Sequence, residues 1–127
     1  MSSYTNRCIL VIDDEPDLCS IVKFTLERLK SWKILTAESA QAGLMQAETQ
    51  QPDVILLDLS LYGEDRLTML QSLKTNPTTQ SIPVILFTAT DPSDDSLGFD
   101  PSDFAGVILK PFNVLQLGEQ IIEQLGW

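Results

Sequence analysis

Five short apolar runs recur along the chain, separated by longer segments of different periodicity. The runs are CILVI (8–12), KILTA (33–37), VILLD (54–58), VILFT (84–88) and VIL (107–109). Apolar and polar residues do not alternate within them, which is typical of strands covered on both faces, as in a parallel sheet. The second run is short and begins with Lys33, so we expect it at an edge of that sheet.

The segments between the runs carry the spacing of amphipathic helices. Apolar residues recur three or four positions apart in 17–30, 39–50, 65–75 and from 114 onwards. In the first segment this stripe consists of positions 18, 21, 22, 26 and 29. Strand and helix thus alternate along the chain, which predicts a doubly wound α/β fold with helices on both faces of a parallel sheet.

The connection after the fourth run departs from this pattern. Residues 91–103 read DPSDDSLGFDPSD and contain the Asp-Pro pair twice. Asp is a good helix cap and Pro fits the first helical position, so each pair can start a helix. Two starts with Gly98 between them predict two short turns, and hence a fourth helix that is short or broken.

Composition narrows the class of protein. The chain has 127 residues and no linker or charge block divides it, so we expect one domain over 1–127. A net charge of −10 disfavours binding to nucleic acid, and the absence of histidine excludes His-based catalysis and His-ligated zinc.

Cys8 and Cys19 are expected to be buried free thiols. No run is long enough for a membrane span, and no apolar stretch that could form a secretory signal precedes Cys8, so we expect a cytoplasmic protein with no membrane contact.

Polar and charged residues stand where the predicted strands end. The first run is followed by Asp13 and Asp14, the third ends in Asp58, the fourth ends in Thr88, and Lys110 follows the fifth. In an open parallel sheet, ligands bind beyond the carboxyl ends of the strands, near the point where strand order reverses. We therefore expect these five side chains along one rim of the sheet.

Three carboxylates on one rim need compensation. Two unit charges about 4 Å apart repel by about 4 kcal/mol at an effective dielectric of 20, so such a cluster holds protons or a cation. Oxygen ligands without His or Cys suit Mg²⁺, and Lys110 adds a fixed positive charge. A carboxylate next to Mg²⁺, a lysine and a hydroxyl has the parts for phosphoryl transfer, with an aspartyl phosphate as the product.

Four stretches in this order resemble the receiver domain of two-component response regulators: IDDEPD, PDVILLDL, VILFTAT and LKPF. The resemblance covers essentially the whole chain and implies a five-stranded flavodoxin-like sheet. It implies that Asp58 is the phosphoacceptor and that Thr88 and Lys110 hold the phosphoryl group. The metal ligands would be Asp14 directly, Asp13 mainly through water, Asp58 itself, and the backbone carbonyl of Ser60.

The same resemblance implies a phosphorelay signalling role. The donor would be a phosphohistidine on a sensor histidine kinase or a histidine phosphotransfer protein, and phosphorylation would change the affinity for an unidentified downstream protein. Catalysis would be limited to Mg²⁺-dependent phosphorylation and dephosphorylation of the chain itself. Because the sequence ends soon after the last predicted helix, we expect a stand-alone receiver of the chemotaxis type without an output domain.

A departure from the family pattern at Val107 keeps an alternative open. Receivers usually carry an aromatic residue three positions before the lysine, and this position is Val107 here. With the unusual fourth connection, Val107 favours a second hypothesis: an interaction adaptor that keeps the fold without the phosphorylation switch. A phosphatase of the haloacid type is disfavoured because it needs a second Asp at the position of Ser60. A flavin site is weaker still, because the acidic loop after the first strand would repel phosphate.

Overall fold

The computed structural model describes residues 7–58, 65–88, 104–110 and 112–127, with the backbone alone described at 65–68 and 88. Three expectations fall outside the described residues: the role of Ser60, the position of the Thr88 side chain, and the short or broken helix within 91–103.

A five-stranded parallel sheet forms the centre of the molecule. Its strands are β1 (Cys8–Ile12), β2 (Lys33–Ala37), β3 (Val54–Asp58), β4 (Val84–Thr88) and β5 (Gly106–Leu109). Their order across the sheet is β2-β1-β3-β4-β5, and every neighbouring pair is parallel. The strand order reverses between β1 and β3, so this fold offers its crevice beyond the carboxyl ends of these two strands.

Four α-helices are described: α1 (Pro16–Lys30), α2 (Ala40–Gln50), α3 (Asp65–Thr75) and α4 (Leu117–Leu125), with a 3-10 turn at Val114–Gln116 before the last. Helices α1 and α4 contact one another, as do α2 and α3. Because a buried core lies on each side of the sheet, one helix pair covers each face. The predicted doubly wound α/β fold is confirmed.

Strand alternation decides which side chains enter which core. On β1, Ile9 and Val11 lie in the core under α1 and α4, whereas Leu10 and Ile12 lie in the core under α2 and α3. The central strand β3 is buried at every position from Val54 to Asp58. Such two-sided burial explains why these strands read as continuous apolar runs.

Some details differ from the sequence-based expectation. Ile21 and Leu29, assigned to the buried stripe of α1, are 51% and 55% exposed, and Cys19 is buried instead. At 100° per residue Ile21 lies at the edge of this stripe, whereas Leu29 lies within the stripe but in the last turn of α1, so the apolar period alone does not define the buried face. Both cysteines are free, but Cys8 is half-buried. Strand β2 lies at an edge, as expected.

Among the described residues, no helix combines the length and apolar composition that crossing a bilayer requires.

Candidate functional site

The acidic residues at the ends of β1 and β3 share one face of the sheet. Asp58 follows Leu56 by two positions, so its side chain points to the face covered by α1 and α4. Asp13 has the same relation to Val11, and its N–H continues the strand ladder by donating to the Ala37 carbonyl oxygen at 3.0 Å. The two carboxylates therefore meet at the point where strand order reverses.

Three carboxylates converge there. One oxygen from each of Asp13, Asp14 and Asp58 lies within 4.8 Å of the others. Asp13 and Asp58 are almost completely buried, with 0% and 1% of their surface exposed, whereas Asp14 is exposed. Two buried carboxylates this close need a nearby positive charge or bound protons. The third carboxylate, that of Asp14, is exposed to solvent, from which an ion or a phosphoryl donor can arrive.

Lys110, just after the end of β5, supplies positive charge to the acidic cluster. Its Nζ donates to Asp13 Oδ2 at 2.8 Å and to Asp58 Oδ2 at 3.2 Å. The lysine directly follows β5, and its side chain is only 16% exposed. One ammonium group thus joins the two buried carboxylates across the width of the sheet.

Local contacts fix Asp13 further. Its Oδ1 accepts a hydrogen bond from the Glu15 N–H at 3.0 Å, just before α1 begins at Pro16. The thiol of Cys19, on the first turns of α1, donates to the Asp13 carbonyl oxygen at 3.4 Å. Burial, followed by the charges of Asp13 and Glu38, raises the pKa of Cys19 to about 11, so this thiol stays protonated at neutral pH.

Burial and pairing act in opposite directions on the ionisable groups. Burial raises the pKa of Asp13, and the hydrogen bonds from Lys110 and the Glu15 N–H offset this only in part. For Lys110, burial alone lowers the pKa, but the hydrogen bond to Asp13 and the charge of Asp58 outweigh it, so the pKa is raised. The ammonium form is thus held at neutral pH, while ionised Asp13 opposes folding.

This balance predicts a stability effect for Asp13→Asn in metal-free protein. A carboxyl whose folded pKa is raised contributes stability below its unfolded value of 3.8 and loses it as pH rises through the folded value. We therefore expect the variant to be more stable than wild type at neutral pH, with the difference shrinking as pH falls towards 3.8. Urea unfolding in EDTA at several pH values measures this. A variant that is less stable at neutral pH would contradict it.

The residues present fit a hard divalent cation. The cluster offers oxygen atoms alone, from three carboxylates within 4.8 Å of one another, which is the ligand chemistry that Mg²⁺ prefers. Lys110 already partners one oxygen of Asp13 and one of Asp58, and Asp14 adds an exposed carboxylate. An acidic cluster that could hold a metal ion is therefore present.

Of the five strand-end side chains expected on one rim, the structure brings together Asp13, Asp14, Asp58 and Lys110, and it describes only the backbone of Thr88. Sequence reasoning missed Phe87, whose ring centroid lies 5.1 Å from Lys110 Nζ. Its register partner on β3 is Asp58, so it lies beside the acidic cluster. Counting back from Thr88 places Phe87 near the end of β4, but it does not give the register that sets Phe87 beside Asp58.

Val107 lies in a small apolar cluster on the other face of the sheet. It packs with half-buried Phe104 against Leu86 of β4. Its carbonyl oxygen accepts a hydrogen bond from Gln124 Nε2 of α4 at 2.9 Å. Position 107 therefore carries a short branched side chain that packs against Leu86 of β4.

Comparison with known proteins gives the family. A family model described as response regulator receiver domain matches residues 9–122. The probable transcriptional regulatory protein TcrX of Mycobacterium tuberculosis is 35% identical over 107 residues, which are 84% of this chain and 44% of that protein. The DNA-binding dual master transcriptional regulator RpaA of Synechocystis is 36% identical over 110 residues, 86% of this chain and 45% of that protein. The chain thus spans less than half the length of these relatives.

Solved structures agree with the sequence comparison. The N-terminal domain of a response regulator receiver protein from Methanoculleus marisnigri is 33% identical, with a TM-score of 0.70 and coverage of 94% of this chain and 97% of that one. The chemotaxis response regulator CheY4 of Vibrio cholerae has a TM-score of 0.80, with coverage of 94% and 98%, and at 21% identity it supports the fold alone. The chain belongs to the response regulator receiver domain family.

Proposed function

We propose that this receiver accepts a phosphoryl group on Asp58 from a phosphohistidine donor and that the modification changes its binding to a downstream protein. One observation carries the proposal: three carboxylates and Lys110 converge at the switch point of the sheet, with Asp58 at the end of its central strand. The donor would be a sensor histidine kinase or a histidine phosphotransfer protein. The downstream partner would recognise the altered surface.

The proposed reaction is a displacement at phosphorus. A carboxylate oxygen of Asp58 forms the new O–P bond while the bond to the donor nitrogen breaks, and the imidazole leaves with that electron pair. The product is an aspartyl phosphate. Lys110, whose raised pKa keeps it charged, would stay close to the transferred group because it already contacts the acceptor carboxylate. The Thr88 hydroxyl would donate a hydrogen bond to a phosphoryl oxygen.

A divalent ion completes the proposed site. Asp13, Asp14 and Asp58, with the backbone carbonyl of Ser60, would hold Mg²⁺. When bound, the ion supplies positive charge that offsets the charge of the phosphoryl oxygens. Asp14 would ligate directly because it is exposed, whereas both oxygens of Asp13 already accept hydrogen bonds, which favours contact through water.

Intact-mass analysis after incubation with acetyl phosphate and Mg²⁺ tests this proposal. We expect one added phosphoryl group per chain, and we expect none when EDTA is present from the start. An acyl phosphate replaces the protein donor here, so the result does not depend on the cognate kinase. Equal incorporation with and without EDTA would contradict the metal requirement, and no incorporation with Mg²⁺ would contradict the proposed acceptor function.

The second candidate, an adaptor without the switch, is favoured by one observation. Val107 packs against Leu86 and lacks the ring that couples phosphorylation to output in the family. Amide NMR spectra before and after phosphorylation separate the two candidates. Shift changes that extend from the site into β5 and α4 support the switch. Changes confined to residues that touch Asp58 support the adaptor.

A further inference from the structure

Phe87 lies where the core meets the acidic cluster. It occupies the next-to-last position of β4, is completely buried, and is the register partner of Asp58 on the neighbouring strand. Residues paired across parallel strands point to the same face, and Phe87 belongs to the core under α1 and α4. The Phe87 ring is therefore the part of that core that lies beside the carboxylate of Asp58.

The ring contacts the site lysine on one side and a second ring on another. Lys110 Nζ lies 5.1 Å from the centroid of the Phe87 ring, within the range of a cation–π interaction. The ring of Phe112, two residues after Lys110, lies 4.5 Å from Phe87 with 47° between the planes. Phe87 thus contacts both the side chain of Lys110 and the segment that follows it.

This arrangement limits where the ammonium group can go. A lysine side chain has a flexible four-carbon stem, so two hydrogen bonds to carboxylates on one side leave it considerable freedom. An aromatic face attracts a cation because its quadrupole is negative there, and the Phe87 ring is completely buried and packed against the ring of Phe112. Phe87 therefore adds a buried attractive surface to the two carboxylates that already bind the ammonium group.

We propose that Phe87 is a positioning residue for the phosphoryl transfer: its ring holds the Lys110 ammonium where it meets the group being transferred to Asp58. This inference rests on the proposed function, because it concerns the rate of that reaction. A purely structural role would require only that position 87 be apolar and fill its space. A positioning role requires an aromatic face.

The contact itself is measured in the unmodified protein by NMR. With lysine labelled with ¹³C at Cε, the Lys110 Hε signals are expected upfield of those of the other lysines, because the adjoining Nζ lies over the Phe87 ring. Lys110→Met assigns them by their disappearance, and Phe87→Leu should return them to the ordinary lysine position. Lys110 signals at the ordinary position in wild type would overturn the inference, even if Phe87→Leu fails to fold.

The consequence is measured as the initial rate of phosphorylation by acetyl phosphate at saturating Mg²⁺. We expect Phe87→Leu to be about tenfold slower than wild type, the size of a partly desolvated cation–π contact expressed as a rate. The control is Ile85→Val, which trims the same strand and core one layer deeper and should keep the wild-type rate. An equal loss in both variants, or no loss in Phe87→Leu, overturns the inference.

The two proposals fail in different ways. Wild-type protein that never gains a phosphoryl group would refute the acceptor function of Asp58. Wild-type protein that is modified at the same rate as Phe87→Leu would leave that function in place and refute only the role of the ring.

Discussion

We expect Asp58→Asn to abolish phosphorylation by acetyl phosphate in the presence of Mg²⁺, and we expect wild type to gain one phosphoryl group under the same conditions. The amide has nearly the same shape as the carboxylate but carries no negative charge, and its oxygen is a poor nucleophile towards phosphorus. The substitution also removes one of two buried anions that share the ammonium group of Lys110. Intact-mass spectrometry of both proteins after the same incubation measures the difference.

The matched control lies at the other end of the same strand. Asp53 directly precedes β3, and its Oδ2 accepts the Cys8 N–H at 2.7 Å, a hydrogen bond that an asparagine oxygen can also accept. Asp53→Asn makes the same chemical change far from the cluster and should be phosphorylated like wild type. If Asp58→Asn still gains a phosphoryl group, the acceptor is another residue. If both variants lose it, the effect is structural.

The strands could be predicted because burial on both faces leaves few alternatives. Residues of β3 have core on each side, so every position from 54 to 57 is large and apolar, and the run alone indicates its environment. The helices are less determined by sequence. Ile21 and Leu29 fit the apolar period of α1 but are about half exposed, so the period does not by itself give the buried face.

The acidic cluster could be expected from sequence because parallel strands place their carboxyl ends at one edge. Asp13 and Asp58 then meet as a consequence of strand order, and Lys110 joins them from the other end of the chain. The aromatic support of Lys110 could not be expected. It depends on the exact register of β4 against β3, which places Phe87 opposite Asp58, and a run of apolar letters does not specify that register.

Val107 is a position where the residue type could be read from the sequence but its packing neighbours could not. Its type and position were visible in the sequence, and the absence of a ring there was clear from the resemblance. What surrounds it was not: Phe104, three residues earlier, packs in the same small cluster over Leu86. Side-chain neighbours across strands are set by tertiary packing. The departure from the motif at position 107 can therefore be read from sequence, whereas the residues that pack around that position cannot.

Lys110→Met is expected to destabilise the metal-free protein by about 3 kcal/mol at neutral pH, because it leaves two buried carboxylates without their shared cation. Methionine keeps the length of the apolar stem, so the change removes mainly charge. The control is Lys74→Met in the last turn of α3, an exposed position where the change should stay within about 0.5 kcal/mol. Urea unfolding in EDTA measures both variants, and equal stability of the two would contradict the pairing.

The pH dependence of this loss identifies its cause. Lys110 has a raised folded pKa, so its stabilising contribution is complete below the unfolded value of 10.5 and is lost as pH rises through the folded value. Towards acid pH the loss also shrinks, since Asp13, whose folded pKa is raised as well, takes up a proton and needs the ammonium group less. The difference between wild type and Lys110→Met should therefore be largest near neutral pH. A lost packing contact would instead give a difference that does not depend on pH.

Mg²⁺ should recover more stability in the variant than in wild type, since in the variant the carboxylates attract the ion without competition from the lysine charge.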